Sequence, residues 1–241
     1  MIVAQQIQER LFPEKPPGLA GFDIAGGSFP AEFASGDYYD YIPLPEKCYA
    51  IVVGDVSGHG IGPALLMAST RAFLRSMART SGDVSEMLTR ANRSLLEDTQ
   101  ADKYVTLFLG RLDPQAREFS YASAGHPAAY VLDASGKVKA RLESTAPPLG
   151  VVPHAAFPAG TSLTLEPGDL AILLTDGALE ATAPDGTRFG ESRVLEVVRH
   201  SQSESASQII SRLHRAVLDF RRQETLDDDV TAIVLKVDAR P

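Results

Sequence analysis

Two aspartates in the first third of this 241-residue chain have the spacing of a metal site. A hairpin pattern over residues 38–56 turns at Pro45-Glu46-Lys47, so residues whose numbers add up to about 92 should face each other. Asp37 and Asp55 satisfy that condition, and directly opposed residues bring their Cβ atoms to about 5 Å. Two carboxylates at that distance repel each other unless a cation lies between them. The spacing therefore predicts a divalent cation beside Asp37 and Asp55.

Two later strands are also expected to end in aspartate. The apolar run 170–175 leads into Asp176, and the triplet Asp227-Asp228-Asp229 precedes the apolar run 230–237. A strand that delivers a carboxylate at its end can hold a site rigidly. Each aspartate also has a purely structural interpretation, since Asp-Gly is a common turn dipeptide and a charged triplet is typical of a solvated loop; Asp185, in Pro184-Asp185-Gly186, is assigned to a turn.

The chemistry of this donor set favours hard cations. The chain has a single cysteine, Cys48, and no cluster of histidines, so oxygen ligands dominate any site that these aspartates form. Mg²⁺ and Mn²⁺ prefer such ligands, whereas zinc and copper prefer nitrogen and sulfur. Cys48 lies in an apolar strand and is interpreted as inert core.

The glycine-rich segment 54–63 follows one of these strands and precedes a helix, which is also the order of a nucleotide-binding loop. It lacks the Lys-Ser or Lys-Thr of a P-loop, and a dinucleotide fingerprint starting at Gly58 would need glycine at Pro63. The glycines instead allow the backbone to turn closely around an ion. His59 is either a proton donor to a leaving group or a residue that orients the loop. Ser57 has no base fixed beside it and lacks the spacing of a hydrolase elbow.

The remaining patterns predict a layered α+β fold. Sequential hairpins indicate antiparallel sheets, and helices in two separate pairs indicate a four-layer α-β-β-α sandwich, with two sheets face to face and the helix pairs outside. The predicted helices span 61–78, 84–98, 191–200 and a stretch beginning near 201, and the predicted strands span 22–25, 38–44, 48–56, 105–112, 117–124, 128–133, 137–142, 161–165, 170–175 and 230–237.

Three local expectations accompany this fold. Ser201 and Glu204 have the spacing of a capping box at the start of the last helix. The helix 61–78 is expected to pack through a face that includes Leu66, Phe73 and Met77, with Leu65 nearby. At the amino terminus, an apolar stripe formed by Val3, Ile7 and Leu11 predicts a helix that ends before Pro13. That helix either docks on its own domain or serves in coupling or dimerisation.

Composition excludes several classes of protein. Apolar residues are 44% and charged residues 22%, which are ordinary globular values, and the lone cysteine forbids an internal disulfide. A formal net charge of −8 argues against nucleic acid as a partner. The chain has no run of 18 apolar residues and no basic, apolar leader, so we expect a protein that does not span a membrane and is cytoplasmic.

Taken together in order, the motifs resemble those of the metal-dependent PPM, or type 2C, serine/threonine phosphatases, and more closely those of the bacterial SpoIIE/RsbU branch. The resemblance covers essentially the whole chain. It rests on Gln8-Glu9-Arg10-Leu11-Phe12-Pro13, Ser35-Gly36-Asp37-Tyr38-Tyr39-Asp40, Gly54-Asp55-Val56-Ser57-Gly58-His59-Gly60, Ala124-Gly125-His126-Pro127, Leu174-Thr175-Asp176-Gly177 and Asp228-Asp229-Val230-Thr231.

The resemblance implies a site and a reaction. Asp37, Asp55, Asp176 and Asp228 would ligate two Mn²⁺ or Mg²⁺ ions, with Asp55 bridging them and the Val56 carbonyl completing the shell. The metals would lower the pKa of a shared water, and the resulting hydroxide would attack phosphorus directly. The branch typically lacks the phosphate-binding arginine of its eukaryotic relatives, so Arg71 and Arg75 are not assigned that role. His126 is interpreted as a turn or packing residue.

The resemblance also implies partners. Substrates of this branch are phosphoserine or phosphothreonine on small regulatory proteins, notably anti-anti-sigma factors with a STAS domain. The catalytic domain usually follows a sensor or receiver domain. Residues 1–13 would then be a connector or switch helix, with a possible role in a homodimer, and residues 14–241 the catalytic domain. One departure is specific: Ser35 stands where the family has the first glycine of Gly-Gly-Asp, which keeps open a non-catalytic binding module of the same fold.

Overall fold

The structure is a computed structural model that describes residues 2–31, 33–98 and 103–238. Within these ranges the chain forms six α-helices and ten strands. The helices are α1 (Ile2–Glu9), α2 (Ile61–Met77), α3 (Val84–Asp98), α4 (Asp176–Glu180), α5 (Gly190–His200) and α6 (Ala206–Arg221). The strands are β1 (Phe22–Phe29), β2 (Tyr38–Pro43), β3 (Tyr49–Val56), β4 (Val105–Asp113), β5 (Glu118–Ala124), β6 (Ala129–Leu132), β7 (Val138–Leu142), β8 (Leu163–Thr164), β9 (Leu170–Leu174) and β10 (Val230–Val237).

The strands form two antiparallel sheets. Sheet I has the order β1-β10-β9-β6-β7, and sheet II has the order β2-β3-β4-β5-β8. The first hairpin has the predicted register, because Tyr38 pairs with Gly54 and Tyr39 with Val53. Its turn is a single 3₁₀ turn, Pro45–Lys47, that takes the chain through positive φ at Glu46 and Lys47. No bulge shifts this pairing. The same register, extended one step beyond the Tyr38–Gly54 pair, places Asp37 opposite Asp55.

Three apolar clusters fill the spaces between four layers. One lies between the sheets and includes Tyr39, Ile51 and Ile233. A second packs α2 and α3 on the outer face of sheet II, and a third packs α5 and α6 on the outer face of sheet I. This arrangement confirms the predicted α+β sandwich, since each amphipathic helix pair buries its apolar face on the sheet beside it.

One local expectation was wrong, and another was confirmed only in part. The capping box of α6 uses Ser205 and Gln208, four residues later than predicted, because residues 201–204 form a turn first. On α2 the fully buried positions are Met67, Thr70 and Leu74, while Leu65 is 65% exposed. Leu66, Phe73 and Met77 are partly buried and pack against the same core cluster, as expected. The helix is apolar on several sides, so its sequence did not specify which side meets the sheet.

The amino-terminal helix docks on its own domain, with only part of the predicted stripe in contact. Ile7 is 58% exposed, whereas Gln8 is buried and Leu11 packs against the core. The side chain of Val3, the first member of that stripe, lies outside what the structure describes. No helix in the described ranges is long and apolar enough to cross a membrane.

Candidate active site

Four aspartates come together where the two sheets meet at one end of the sandwich. Sheet II supplies Asp37, directly before β2, and Asp55, near the end of β3. Sheet I supplies Asp176, directly after β9, and Asp228, two residues before β10. Because β9 and β10 are hydrogen-bonded neighbours, their aspartates lie at the same edge. The four carboxyl groups lie close enough for their charges to act on one another, and we call the region that they border the cleft.

Asp37 is the most deeply buried of the four, with 1% of its surface exposed. The Thr175 hydroxyl donates to its Oδ2 at 2.9 Å and accepts from the Thr231 backbone N–H at 3.0 Å. Its own backbone N–H donates to the Ser35 hydroxyl at 2.9 Å. Asp37 is thus tied to both β9 and β10 of the opposite sheet, which fixes the carboxylate across the gap between the sheets.

Gly36 forms a close backbone cradle around the next ligand candidates. A Cβ atom on Gly36 would lie 2.7 Å from the Val56 carbonyl oxygen and 3.2 Å from Asp55 Oδ1. The absence of a side chain therefore allows the loop to approach both oxygens. The two donors that the resemblance assigned to a cation, the Asp55 carboxylate and the Val56 carbonyl, do lie together beside this glycine.

Gly177 joins the remaining two aspartates. Asp176 and Gly177 begin the short helix α4, where the sequence had also allowed a simple turn. A Cβ atom on Gly177 would collide with the Asp229 carbonyl oxygen. The start of α4 is therefore packed directly on the backbone that holds Asp228, which brings the Asp176 and Asp228 carboxylates into the same cleft.

The three aspartates of the triplet have different partners. Asp227 accepts from Arg221, a side chain only 2% exposed, at 2.5 Å. Asp228 faces the cleft, whereas Asp229 accepts backbone N–H groups of Ala31 at 2.8 Å and Gly36 at 3.2 Å. Asp229 therefore fixes the loop that leads into Asp37. Sequence reasoning missed this role, because the partners are almost 200 residues apart along the chain.

A second long-range contact fixes the same loop from the amino-terminal side. Gln8 Nε2 donates to the Ser35 carbonyl at 2.5 Å, and Gln8 Oε1 accepts from the Ser35 N–H at 3.0 Å. Ser35 is not among the described non-glycine residues with positive φ, so a side chain is accommodated there without backbone strain. The departure from Gly-Gly-Asp thus leaves the loop intact and adds a hydroxyl that accepts from Asp37.

The carboxylates influence one another strongly. Burial raises the pKa of Asp55 to about 7, and the charges of Asp176, Asp228 and Asp229 add to the shift. Burial followed by the charge of Asp55 raises the pKa of Asp37 well above its usual range. Desolvation and then Asp228 raise the pKa of Asp176. Burial is thus the first cause of all three shifts, and the charges of the neighbouring carboxylates add to it.

The aspartate side chains of the cleft are not arranged as a compact set of metal ligands. Among the residues that the structure describes, no group of three His, Cys, Asp or Glu side chains is arranged tightly enough to hold an ion. The chemistry of the cleft nevertheless fits a hard divalent cation, because carboxylates that repel one another adjoin a backbone carbonyl and a glycine cradle open to both.

The neighbouring side chains fall into clear roles. His59 is exposed on the glycine turn; desolvation raises the pKa of Asp228, and the His59 charge opposes that rise. His59 thus lies near the cleft, and both of its interpretations stay open.

His126 is 3% exposed and its Nδ1 lies 2.9 Å from the Thr106 hydroxyl, a buried packing role as predicted. Arg75 binds Asp40 with two nitrogens at 2.6 Å, so it is a structural residue.

Comparison with known proteins identifies the family. Residues 45–238 match the family described as Stage II sporulation protein E (SpoIIE). The chain is 29% identical over 258 residues to Protein IcfG of Synechocystis, covering 96% of this chain and 40% of that protein. It is 28% identical over 235 residues to Phosphoserine phosphatase RsbU of Bacillus subtilis, covering 97% of this chain and 69% of that protein. The chain thus spans well under half the length of the first of these relatives.

Solved structures show the same fold. The SiaA-PP2C domain of Pseudomonas aeruginosa superposes with a TM-score of 0.86 at 22% identity, covering 98% of this chain and 95% of that one. RsbX in complex with magnesium superposes with a TM-score of 0.67 at 18% identity, covering 93% and 98%. With a match to the family over most of its length, this chain belongs to the SpoIIE family, with the fold of a PPM-type (PP2C) phosphatase domain.

Proposed function

We propose that this domain hydrolyses phosphoserine and phosphothreonine with two divalent cations, Mn²⁺ or Mg²⁺. Asp37, Asp55, Asp176, Asp228 and the Val56 carbonyl would hold them. The observation that supports this most directly is the meeting of four carboxylates from both sheets beside the open cradle at Gly36. Such cations would supply an acidic water and neutralise the charge that builds on the phosphoryl oxygens.

The protein's own contribution is to position the oxygen ligands and limit their motion. Thr175 and Ser35 hold Asp37 at two points, and Asp229 ties Gly36 to the strand that presents Asp228. A ligand set fixed by its neighbours loses little entropy when it binds a cation or a phosphate. With two divalent ions the formal net charge would move from −8 to −4, and the change would be concentrated in the cleft.

The substrate that we propose is a phosphorylated anti-anti-sigma factor-like STAS protein of a signalling pathway. The motif resemblance to the SpoIIE/RsbU branch and the phosphoserine phosphatase name of the relative RsbU support this choice. An acidic surface disfavours nucleic acid, and a cleft rich in cations would attract a phosphate. A cytoplasmic location is part of the same proposal.

We further propose that residues 1–13 connect the catalytic domain, residues 14–241, to an upstream sensor or receiver domain or an activator, or to a second copy in a homodimer. The support is that α1 contacts the loop before Asp37 through Gln8 while Ile7 stays 58% exposed. A partner that moved α1 would act on the position of Asp37. Removal of residues 1–12 should therefore change basal activity or metal affinity, and unchanged kinetics would contradict this role.

The principal test is Mn²⁺-dependent hydrolysis of para-nitrophenyl phosphate. We expect Asp55→Asn and Asp176→Asn to lose about a thousandfold in turnover, because removal of a ligand forfeits several kcal/mol of transition-state stabilisation. Asp185→Asn is the matched control, since Asp185 is an exposed turn residue that accepts from Thr187. Full activity in both cleft variants would contradict the assignment. A wild-type protein without turnover would favour the binding-module alternative or an absent activator.

A further inference from the structure

A group of exposed apolar side chains borders the candidate active site. Tyr104 is 41% exposed, Val151 50% and Val152 41%. We call these three residues the apolar strip. Tyr104 directly precedes β4, and the two valines lie in the turn that follows Leu149. Neighbouring exposed apolar residues that form a patch mark contact surfaces more often than single ones do.

The apolar strip is joined to the cleft by the backbone. The Ser57 N–H donates to the Tyr104 carbonyl at 3.0 Å, and the Tyr104 N–H donates to the Ser57 hydroxyl at 3.0 Å. These bonds extend the pairing of β3 and β4 one residue beyond Val56 and Val105. Ser57 is two residues after Asp55. Tyr104, the first residue of the apolar strip, therefore lies next to the start of the glycine turn that follows Asp55.

The turn that presents the valines is held firmly. Val105 and Leu149 exchange two backbone hydrogen bonds of 3.0 and 2.8 Å. Asn92 of α3, only 1% exposed, donates from Nδ2 to the Val152 carbonyl at 3.1 Å and accepts at Oδ1 from the Gly150 N–H at 2.9 Å. A buried amide that bonds at both ends fixes this turn. The exposed valines are thus presented in a preorganised position, which lowers the entropy cost of binding.

Among the described residues that line the groove beside the apolar strip, positively charged side chains outnumber negatively charged ones. Lys103 lies beside the glycine turn, and its ammonium makes one long hydrogen bond, 3.5 Å, to the Ser57 carbonyl. Next to the valines, a groove of about 620 Å³ between α3 and residues 154–158 is lined by Arg90, Arg93 and His154, with Glu86 paired to Arg90. In a chain of net charge −8, this local excess suits an acidic partner surface.

We propose that the apolar strip docks the protein part of the phosphoprotein substrate, an inference that rests on the proposed function. The occupant is an acidic protein with apolar side chains beside its phosphorylated serine or threonine. A phosphorylated side chain is short, so the protein that presents it to the aspartates must cover the rim of the cleft. The continuity of Ser57 with Tyr104 places the apolar strip on that rim.

The test compares a small substrate with a protein substrate. The variant Val151→Ser/Val152→Ser keeps the backbone bonds to Asn92 and removes the exposed apolar surface. With a serine-phosphorylated STAS-domain protein as probe, we expect KM to rise about tenfold with kcat unchanged, as for loss of a contact residue. The loss should be confined to the protein substrate, with kcat/KM for para-nitrophenyl phosphate within about twofold of wild type. Leu65→Ser, 65% exposed on α2, is the matched control.

Each other outcome decides against the inference. An unchanged KM for the phosphoprotein would overturn it, as would an equal loss on both substrates, which would mean that the valines act on the cleft itself. Unchanged kinetics with an altered size-exclusion profile would assign the apolar strip to contacts between copies. If the wild type hydrolyses only the small substrate, the occupant is wrong. If it hydrolyses neither, the proposed function itself fails.

Discussion

Asp37 and Asp40 differ by three positions in the chain and have opposite electrostatic surroundings. Asp40, within β2, is fully buried and accepts two bonds of 2.6 Å from Arg75, one of 2.7 Å from the Tyr38 hydroxyl and one of 2.8 Å from the Tyr41 N–H. Asp37 is equally buried, yet its neighbouring charges are Asp55 and Asp229. Side chains three positions apart lie on opposite faces of a strand, so one aspartate meets helix α2 and the other meets the opposite sheet.

This contrast separates a structural carboxylate from a candidate ligand carboxylate in the same fold. A buried charge is tolerated when a counter-charge and hydrogen bonds satisfy it, as at Asp40. At Asp37 the chain supplies hydroxyl groups and further carboxylates, so the counter-charge would have to be a cation from solution. The free energy that is lost by crowding these carboxylates is the free energy that a divalent ion would recover.

The largest expected effect is on Asp37 itself. Asp37→Asn should lower Mn²⁺-dependent turnover about a thousandfold while leaving the metal-free fold intact, because it removes a desolvated charge. Its melting temperature without cations should equal or exceed that of wild type, and the rise on adding Mn²⁺ should shrink. Differential scanning fluorimetry with and without Mn²⁺ measures both. An unfolded variant would show that Asp37, like Asp40, is primarily structural.

At Asp40, which is paired with Arg75, we expect a substitution to lower the stability of the fold. Arg75→Met should destabilise the protein by about 3 kcal/mol, because it strands the buried Asp40 carboxylate with Arg71 as its nearest cation at 3.9 Å. Urea unfolding measures the loss. Arg90→Met, which breaks an exposed pair with Glu86, should cost less than about 0.5 kcal/mol. Equal effects of the two substitutions would remove the contrast between the two aspartates.

His126 extends the comparison to a buried base without a counter-charge. Burial lowers the pKa of His126 to about 3. Between that pH and about 6.5 its imidazole is therefore neutral in the folded protein and protonated in the unfolded chain. Stability should therefore fall as pH drops below about 6.5, by about 2 kcal/mol between pH 6.5 and 5. Urea unfolding of wild type and His126→Gln at both pH values should show a smaller decrease in the variant. His200→Gln, exposed on α5, should retain the wild-type dependence; a matching decrease in His126→Gln would contradict the burial argument.

The smallest effect is expected from the amino-terminal helix. Gln8→Ala removes both hydrogen bonds to Ser35 and should raise the Mn²⁺ concentration for half-maximal activity by about five- to thirtyfold, since each bond contributes about 1 kcal/mol. Gln5→Ala, which breaks only a contact to Glu9 within the same helix, is the control. Identical Mn²⁺ titrations for both variants would show that α1 does not influence the position of Asp37.

The features that the sequence predicted well are those with a short-range cause. Strand alternation and the turn at 45–47 determine the pairing of β2 with β3, so the meeting of Asp37 and Asp55 followed from counting residues. The strand β10 was predicted with its observed bounds, 230–237, because it is predominantly apolar. The position of the α6 cap was wrong and the buried side of α2 was predicted only in part, because several residues or several sides satisfied the same local rule.

Which side chains could form a site of hard oxygen ligands, and at which strand ends they lie, followed from residue types and local patterns alone. Packing of the two sheets was needed to show which aspartate meets arginine, which meets other aspartates, and that Gln8 and Asp229 hold the loop before Asp37. These two kinds of information differ in range along the chain. Propensity, alternation and turn chemistry act over a few residues, whereas partners such as Thr175 and Asp37 are brought together by the packing of one sheet on the other.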